Sequence, residues 1–347
     1  MDKFYDNETK LDFKDVLIVP INSYLNSRSE VNLEVNYRFR YYKKSLKCVP
    51  IIVSNMTSTG TISMAKEMSK YKCITVLHKF INIEDIKKLE DDYNNENIFE
   101  YTFISCGINE NDILKAEKIL KETKIDKLCI DIANGYLQKL TEIVKYFRTK
   151  YPNILIMTGN VVTQERCNEL SDSGADIVKI GIGGGSCCLT REKTGVGFPQ
   201  LSCILDCHKN YKCESLLVSD GGCSSPSDIC KALGAGANFV MLGGMLTGHD
   251  ECEGDIIEID GKKKMLIYGM SSETSQNKHN GGMKDYRTSE GRSFYVDYRL
   301  SVKYTLNDIL GGIRSYGTYI GCNDIKNFEY NTQFIKVNRQ LNNPYDN

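Results

Sequence analysis

The stretch GIGGGSCCLTREKTG (181–195) comes directly after DIVKI (176–180). DIVKI is apolar enough to read as a buried strand. The loop beyond it sets five glycines and a serine around two adjacent cysteines. Glycine serves where the backbone must take a positive φ or come close to a ligand. A buried strand that empties into such a loop, with a thiol at its far end, reads as a nucleophile held at the mouth of an α/β fold. Taken alone, the loop is equally compatible with a flexible turn carrying incidental cysteines.

The same beat recurs on both sides of it. Apolar runs at 49–55, 73–79, 100–107, 127–134, 154–160, 176–182, 215–222 and 238–244 alternate with segments whose apolar residues fall three or four apart. Runs without polar alternation are what a parallel sheet buried on both faces requires. Eight strand–helix units predict a (β/α)8 TIM barrel, with an open doubly wound sheet as the rival. The chain, 1–347, is read as one catalytic domain. Residues 1–48 form a lead-in, with LDFKDVLIVP (11–20) extended and NSRSEVNLEV (26–35) alternating like a strand. After the eighth strand, 249–305 hold a hairpin tipped by Asp260-Gly261 and then a polar stretch read as a mobile lid. TLNDILGGIRSYGTYIG (305–321) reads as the closing helix and 328–347 as an irregular tail.

Composition narrows the partners. The formal net charge is −1 at pH 7, which argues against nucleic acid or an anionic membrane surface as a partner. The apolar runs are too short to span a bilayer, and the N-terminus lacks the apolar core of a secretory signal, so a cytoplasmic location is expected. The 14 cysteines then read as reduced, small apolar residues rather than a disulfide framework. Cys203, Cys207, His208 and Cys213 lack paired C-x2-C knuckles, and Cys203 and Cys207 fall on one helix face, so no zinc site is read there.

The functional face of such a barrel is the C-terminal end of its strands. Those ends supply Asn55, His78, Lys79, Ser105, Asp131, Asn134, Asn160, Cys188 and Asp220, all polar where the strand bodies are apolar. Each alone is compatible with capping a helix; together they describe a polar-ligand site. Gly221-Gly222 and Gly243-Gly244, after the seventh and eighth strands, would expose backbone N–H groups to a phosphate. Asp220 beside that phosphate suits sugar hydroxyls instead. A thiol near such amides gains thiolate character, but spacing does not say whether Cys187 or Cys188 faces the site.

GIGGGSCCLTR closely resembles the catalytic loop G-I-G-P-G-S-x-C-T-T-R of the IMP dehydrogenase and GMP reductase family. The resemblance runs from about residue 11 to the closing region through VPIIVSNM, IDIANGY, GNVVTQE, TGVGFPQL, FVMLGGMLTGH, YGMSS and YRTSEG. The chain is more similar to the reductase branch. No insertion stands where dehydrogenases carry a CBS-domain pair, and the lid has Tyr286-Arg287 where they use Arg-Tyr.

The resemblance implies reductive deamination of GMP by NADPH to IMP, ammonia and NADP+, a step in purine nucleotide interconversion and salvage. It implies Cys188 as nucleophile toward purine C2, with Thr190 and Glu290 relaying the proton. It implies nucleotide contacts from Asp220, Gly221, Gly222, Gly243, Gly244, Gly269, Met270, Ser271, Arg287 and Gly291. For the cofactor it implies Lys79, Asp131, Ile132, Ala133, Gly183, Tyr286, Ser315, Tyr316, Gly317 and Thr318, with Ser27 and Arg28 reaching a neighbouring subunit's cofactor. It further implies K+ at the carbonyls of Gly183, Gly185 and Cys188, and a homotetramer. Gly184 and Leu189 depart from the usual proline and threonine. The alternatives are a dehydrogenase without its regulatory domain, a nucleotide-binding barrel without turnover, and an aldolase-like barrel using Lys79.

Overall fold

A computed structural model describes residues 4–92, 97–209, 214–279, 281–282 and 288–338. Eight parallel strands close into a barrel: β1 (Ile51–Val53), β2 (Ile74–Leu77), β3 (Thr102–Cys106), β4 (Lys127–Asp131), β5 (Leu155–Val161), β6 (Ile177–Ile180), β7 (Leu216–Asp220) and β8 (Phe239–Leu242). Neighbours in sequence are neighbours in the sheet, and β8 pairs with β1 through Val240–Ile51, Met241–Ile52 and Leu242–Val53. The strand bodies are buried on both faces, which is why they read as unbroken apolar runs. Each strand feeds a helix: Ile62–Ser69, Ile83–Asp92, Glu110–Glu122, Gln138–Lys150, Gln164–Asp172, Gln200–His208, Pro226–Gly234 and, after the long excursion, Val302–Tyr319. The helix starts are chemically marked. The Thr61 hydroxyl accepts the Met64 N–H at 3.0 Å, Asn109 caps Asp112 at 2.8 Å, and Pro226 sits at the first helical position behind Ser225.

Side chains pointing into the barrel (Ile52, Ile74, Phe103, Met157, Ile177, Phe239 and others) form a core distinct from the larger one between strands and helices. Burying one such side chain stabilises by about 1.5–3 kcal/mol. The N-terminal end of the barrel is plugged by an antiparallel hairpin of Val35–Tyr37 and Leu46–Cys48. The Tyr37 ring packs on Phe239 at 4.3 Å, and its hydroxyl donates to the Asn238 carbonyl at 2.7 Å. Asp176, fully buried, clamps this plug. It accepts the N–H groups of Tyr41, Tyr42 and Ile156 at 2.8–3.0 Å and pairs with Arg148 at 2.6 Å. With that end closed, the C-terminal rim is where a ligand can enter.

The lead-in and tail differ from expectation. Residues 26–35 are not one strand: Arg28–Glu30 is a 3-10 turn, because Ser27 and Glu30 form a reciprocal capping box. Residues 11–20 contain a 3-10 turn at Phe13–Asp15 before the strand Val16–Ile18. Phe334–Lys336, inside the segment read as an irregular tail, pairs antiparallel with Val16–Ile18 and joins the chain's two ends. Beyond β8, Ile256–Ile259, Lys262–Tyr268 and Ser293–Asp297 form a three-stranded antiparallel sheet, with helix Glu273–His279 inserted before its last strand. Asp260 and Gly261 both take positive φ at the first turn, 52° and 72°. The part of the expected lid at 283–287 lies outside the described residues.

Candidate active site

A cavity of about 760 Å³ opens at the C-terminal rim, within the range of small-molecule sites. The loop after β6 forms one wall. Its glycines are needed where they stand: Gly181 has φ +132°, and a Cβ there would meet the Asp220 carbonyl oxygen at 2.3 Å. The loop ends in a single helical turn, Thr190–Thr194, stopped by Gly195 at φ +71°.

The two cysteines separate cleanly. Cys187 is buried against Met265 and Ile267 beneath the added sheet, and burial raises its thiol pKa. Cys188 is half-buried at the cavity, and its thiol donates to the Thr190 hydroxyl at 3.2 Å. That hydroxyl donates to Glu290 Oε2 at 2.7 Å. Glu290 arrives from 100 residues away because residues 290–292 are hydrogen-bonded to the loop after β6. The Leu189 N–H donates to the Glu290 carbonyl (2.7 Å), the Arg292 N–H to the Cys187 carbonyl (3.0 Å), and Cys188 bridges Gly291. Together these backbone and side-chain bonds fix a thiol, a hydroxyl and a carboxylate in one line.

Opposite stands a charged relay. Asp131 at the end of β4 and Asp220 at the end of β7 both line the cavity, and the buried Lys179 of β6 reaches both, at 2.7 and 3.0 Å. Burial opposes the charge of Asp131, but Lys179, the Asn55 amide at 2.9 Å and Lys79 outweigh it and hold its carboxyl below the usual range. Asn160 donates to Asp220 at 2.8 Å. Lys79 lines the cavity but pairs with Asp112 at 3.2 Å.

The glycine pairs approach closely. A Cβ on Gly244 would stand 2.5 Å from the Ser186 hydroxyl oxygen, and one on Gly221 3.1 Å from the Gly184 backbone. The Gly222 N–H is engaged by the Gly184 carbonyl at 2.8 Å, so it joins loop to loop and is not presented to a phosphate.

The profile of the IMP dehydrogenase / GMP reductase domain matches residues 10–341. The chain belongs to this family. It is 46% identical over 339 residues to GMP reductase 1 of Homo sapiens, covering 97% of this chain and 98% of that one. It is 47% identical over 339 residues to GMP reductase 2 of Homo sapiens (97% of each) and 45% identical over 342 residues to GMP reductase of Caenorhabditis elegans (98% and 95%).

Set against this family's pattern, most of the expected residues meet in the cavity. Cys188, Thr190, Glu290 and Gly185 line it with Asp220, Gly221, Gly222, Gly243, Gly244, Gly269, Met270, Ser271 and Gly291, and so do Lys79, Asp131, Ile132 and Ala133. Gly183 does not line it; the Arg191 side chain packs over that glycine. Ser27, Arg28, Ser315, Tyr316, Gly317 and Thr318 do not line it within one chain either. They belong to the turn at Arg28–Glu30 and the end of helix Val302–Tyr319, which pack on each other. Tyr316 is buried there with its hydroxyl on Thr332, and Gly317 fits against Val31, so both serve packing in this chain. Tyr286 and Arg287 lie outside the described residues, as does Cys213. Lys179 was missed from the sequence. The signal was present, since a lysine inside a doubly buried strand is rarely tolerated without partners.

No helix among the described residues is long and apolar enough to cross a membrane. Among them, no cluster of three or more His, Cys, Asp or Glu side chains is arranged for a metal ion.

Proposed function

We propose that this protein is a GMP reductase, an oxidoreductase converting GMP and NADPH to IMP, ammonia and NADP+ in purine nucleotide salvage. The observation that carries the reading is the line Cys188–Thr190–Glu290, at 3.2 and 2.7 Å, on the rim of a barrel of this family.

The chemistry follows from the residues. C2 of the guanine ring is electrophilic between two nitrogens, and the Cys188 sulfur adds to it. The amino group on C2 leaves only once protonated, and Glu290 supplies that proton through the Thr190 hydroxyl. Loss of ammonia leaves the purine bound to sulfur at C2. NADPH supplies a hydride to that carbon. Departure of IMP restores the thiol, and closure of the lid over the cleft would exclude water so that the hydride wins over hydrolysis. Asp220 accepts from ribose hydroxyls while Gly221, Gly243 and Gly244 leave room for the phosphate, as would Gly269, Met270, Ser271, Arg287 and Gly291 around the rest of the nucleotide.

The cavity tests the fit of the cofactor: beyond the nucleotide half it continues along Lys79, Asp131, Ile132 and Ala133, giving a cation and an oriented carboxylate for a nicotinamide riboside. Ser27 and Arg28 stand off this cleft and would reach the cofactor of a neighbouring subunit in a homotetramer; Tyr316 and Gly317 are buried within this chain, so of the four residues 315–318 only Ser315 and Thr318 are left to approach a cofactor. A K+ ion would be held by the carbonyls of Gly183, Gly185 and Cys188; the Gly185 carbonyl already takes the Cys188 N–H at 3.0 Å and keeps one lone pair free for it. A cytoplasmic location is part of the same reading.

Mixing protein, GMP and NADPH and following the reduced-nicotinamide absorbance tests it, with IMP and ammonia as products. Cys188→Ala abolishes the signal and Cys187→Ala keeps most of it. Turnover of IMP with NAD+ to XMP, and none of GMP, would replace the reading by a dehydrogenase.

A further inference from the structure

Lys179 is the charged residue lining the cleft that the chemistry above leaves without a task. It lies in the body of β6, and its side chain is 2% exposed. Its ammonium meets Asp131 Oδ1 at 2.7 Å, Asp220 Oδ2 at 3.0 Å and the Met241 sulfur at 3.8 Å. The other buried lysines are tied locally: Lys231 donates to the Phe13 carbonyl at 3.0 Å, and Lys127 to the Phe99 carbonyl at 3.2 Å and to the adjacent Asp126 carboxylate at 2.6 Å, away from the cavity lining. Lys179 instead holds two side chains, from two different strands, and both face the cavity. A buried ion cluster of this kind costs desolvation that apolar packing would avoid, so stability alone does not account for it.

The two carboxylates serve opposite halves of the proposed site, Asp220 the ribose of the nucleotide and Asp131 the cofactor. Each has a private neutral partner, Asn160 for Asp220 and Asn55 for Asp131, and they share Lys179. We propose that Lys179 is a positioning residue that lets both carboxylates stay ionised and aimed into the cleft, so that one buried cation serves GMP and NADPH binding together while touching neither. The proposal rests on the site assignment above.

Without the cation, two carboxylates that both lie within 3.0 Å of one point would face each other in a buried setting. Like charges so placed cannot both ionise easily, and one takes up a proton. The other ionisable groups around them are Lys79, from the loop after β2, and Cys129 on β4; Lys79 lies nearer Asp131 and is itself paired with Asp112, so neither substitutes for Lys179.

The experiment measures dissociation constants of GMP and of NADP+ separately, by calorimetry on the full-length protein, for wild type, Lys179→Met, and Lys179→Met combined with Asp131→Asn. Thermal melting verifies the fold of each. Relative to wild type at the same pH, Lys179→Met weakens both ligands by about tenfold or more near pH 6, where the two carboxylates share a proton, and regains affinity toward pH 9 as the second one ionises. Adding Asp131→Asn removes the competing charge: GMP affinity returns to within about threefold of wild type although Asp131 is on the cofactor side, and NADP+ stays weak. A folded Lys179→Met protein with both affinities unchanged, or with only one lost, overturns the proposal. If Lys179→Met does not fold, the double variant decides. It carries the same net charge in the cluster as wild type, and failure to bind GMP when folded refutes the idea. Absence of GMP binding by the wild type would remove the site assignment, and this inference with it.

Discussion

Replacing Thr190 with valine keeps the shape of the side chain and deletes its hydroxyl. In this structure that hydroxyl bridges thiol and carboxylate, 3.2 Å from the Cys188 sulfur and 2.7 Å from Glu290 Oε2. The backbone that carries Glu290 is held independently by the Leu189 N–H at 2.7 Å and the Gly291 bridge, so the carboxylate stays where it is and loses only its route to the reacting centre. A positioned acid–base group contributes about 10²–10⁴ in rate, so kcat should fall by roughly that factor, a barrier increase of about 3–5 kcal/mol. The hydroxyl does not touch the ribose or the phosphate cradle, so KM for GMP should move less than about threefold. Stability should drop by only about 1 kcal/mol, the cost of one unpaired acceptor at a half-buried site. The assay is steady-state NADPH oxidation with GMP, alongside alkylation of Cys188 to show the thiol still accessible. A variant that keeps kcat within threefold of wild type would refute the relay. One that loses KM and kcat together would show that Thr190 holds the nucleotide instead.

Other perturbations probe different parts of the molecule. Glu290→Gln should slow ammonia release from GMP more than it slows the hydride step run from IMP with NADP+ and ammonia withheld, read by single-turnover kinetics; equal losses would count against proton donation. Gly181→Ala forces a side chain into φ +132° and onto the Asp220 carbonyl, and should cost about 1–3 kcal/mol in urea unfolding together with most of the activity. Asp176→Ala deprives Arg148 of its carboxylate and the plug's N–H groups of their acceptor, and should cost about 3–5 kcal/mol while folded protein keeps a normal KM. Burial holds His249 below the usual histidine range even though the Leu300 carbonyl at 2.7 Å partly offsets it. The unfolded chain therefore binds the extra proton first, so stability should fall as pH drops through about 6.5, by at most ~1.4 kcal/mol per pH unit from this residue, and His249→Gln should flatten that slope.

The barrel was legible because its signal is local and repeated. A strand such as Ile177–Ile180, buried on both faces, must be apolar throughout, and the helices between strands announce themselves by spacing and caps. The places where reading failed have a common physical form. At 26–35 the alternation of apolar and polar residues suggested a strand. The bonds that Ser27 and Glu30 make to nearby backbone hold 28–30 as a turn, and pairing is left to Asn32, bridged to Asp324, and to Val35, opposite Cys48. Phe334–Lys336 is a strand only because Val16–Ile18, at the other end of the chain, offers it an edge; no pattern within three residues encodes a partner that distant.

The site divides the same way. Cys188, Thr190 and the glycines of one loop lie within a single stretch and could be read together, whereas the choice between Cys187 and Cys188 depends on which side the added sheet covers. That sheet is assembled from residues beyond β8, and Met265 and Ile267 take Cys187 into their own small core. Glu290 joins through strand pairing, and only the family resemblance pointed to it. Lys179 is the instructive case, because its position violates the very rule that identified β6. A charge in a doubly buried strand requires partners of opposite sign on neighbouring strands, and the barrel provides them at Asp131, two strands away, and Asp220, next door. Where a strand breaks its apolar pattern, the break calls for partners that only the folded barrel supplies: the Phe99 carbonyl and Asp126 for Lys127, and two carboxylates at the cavity for Lys179.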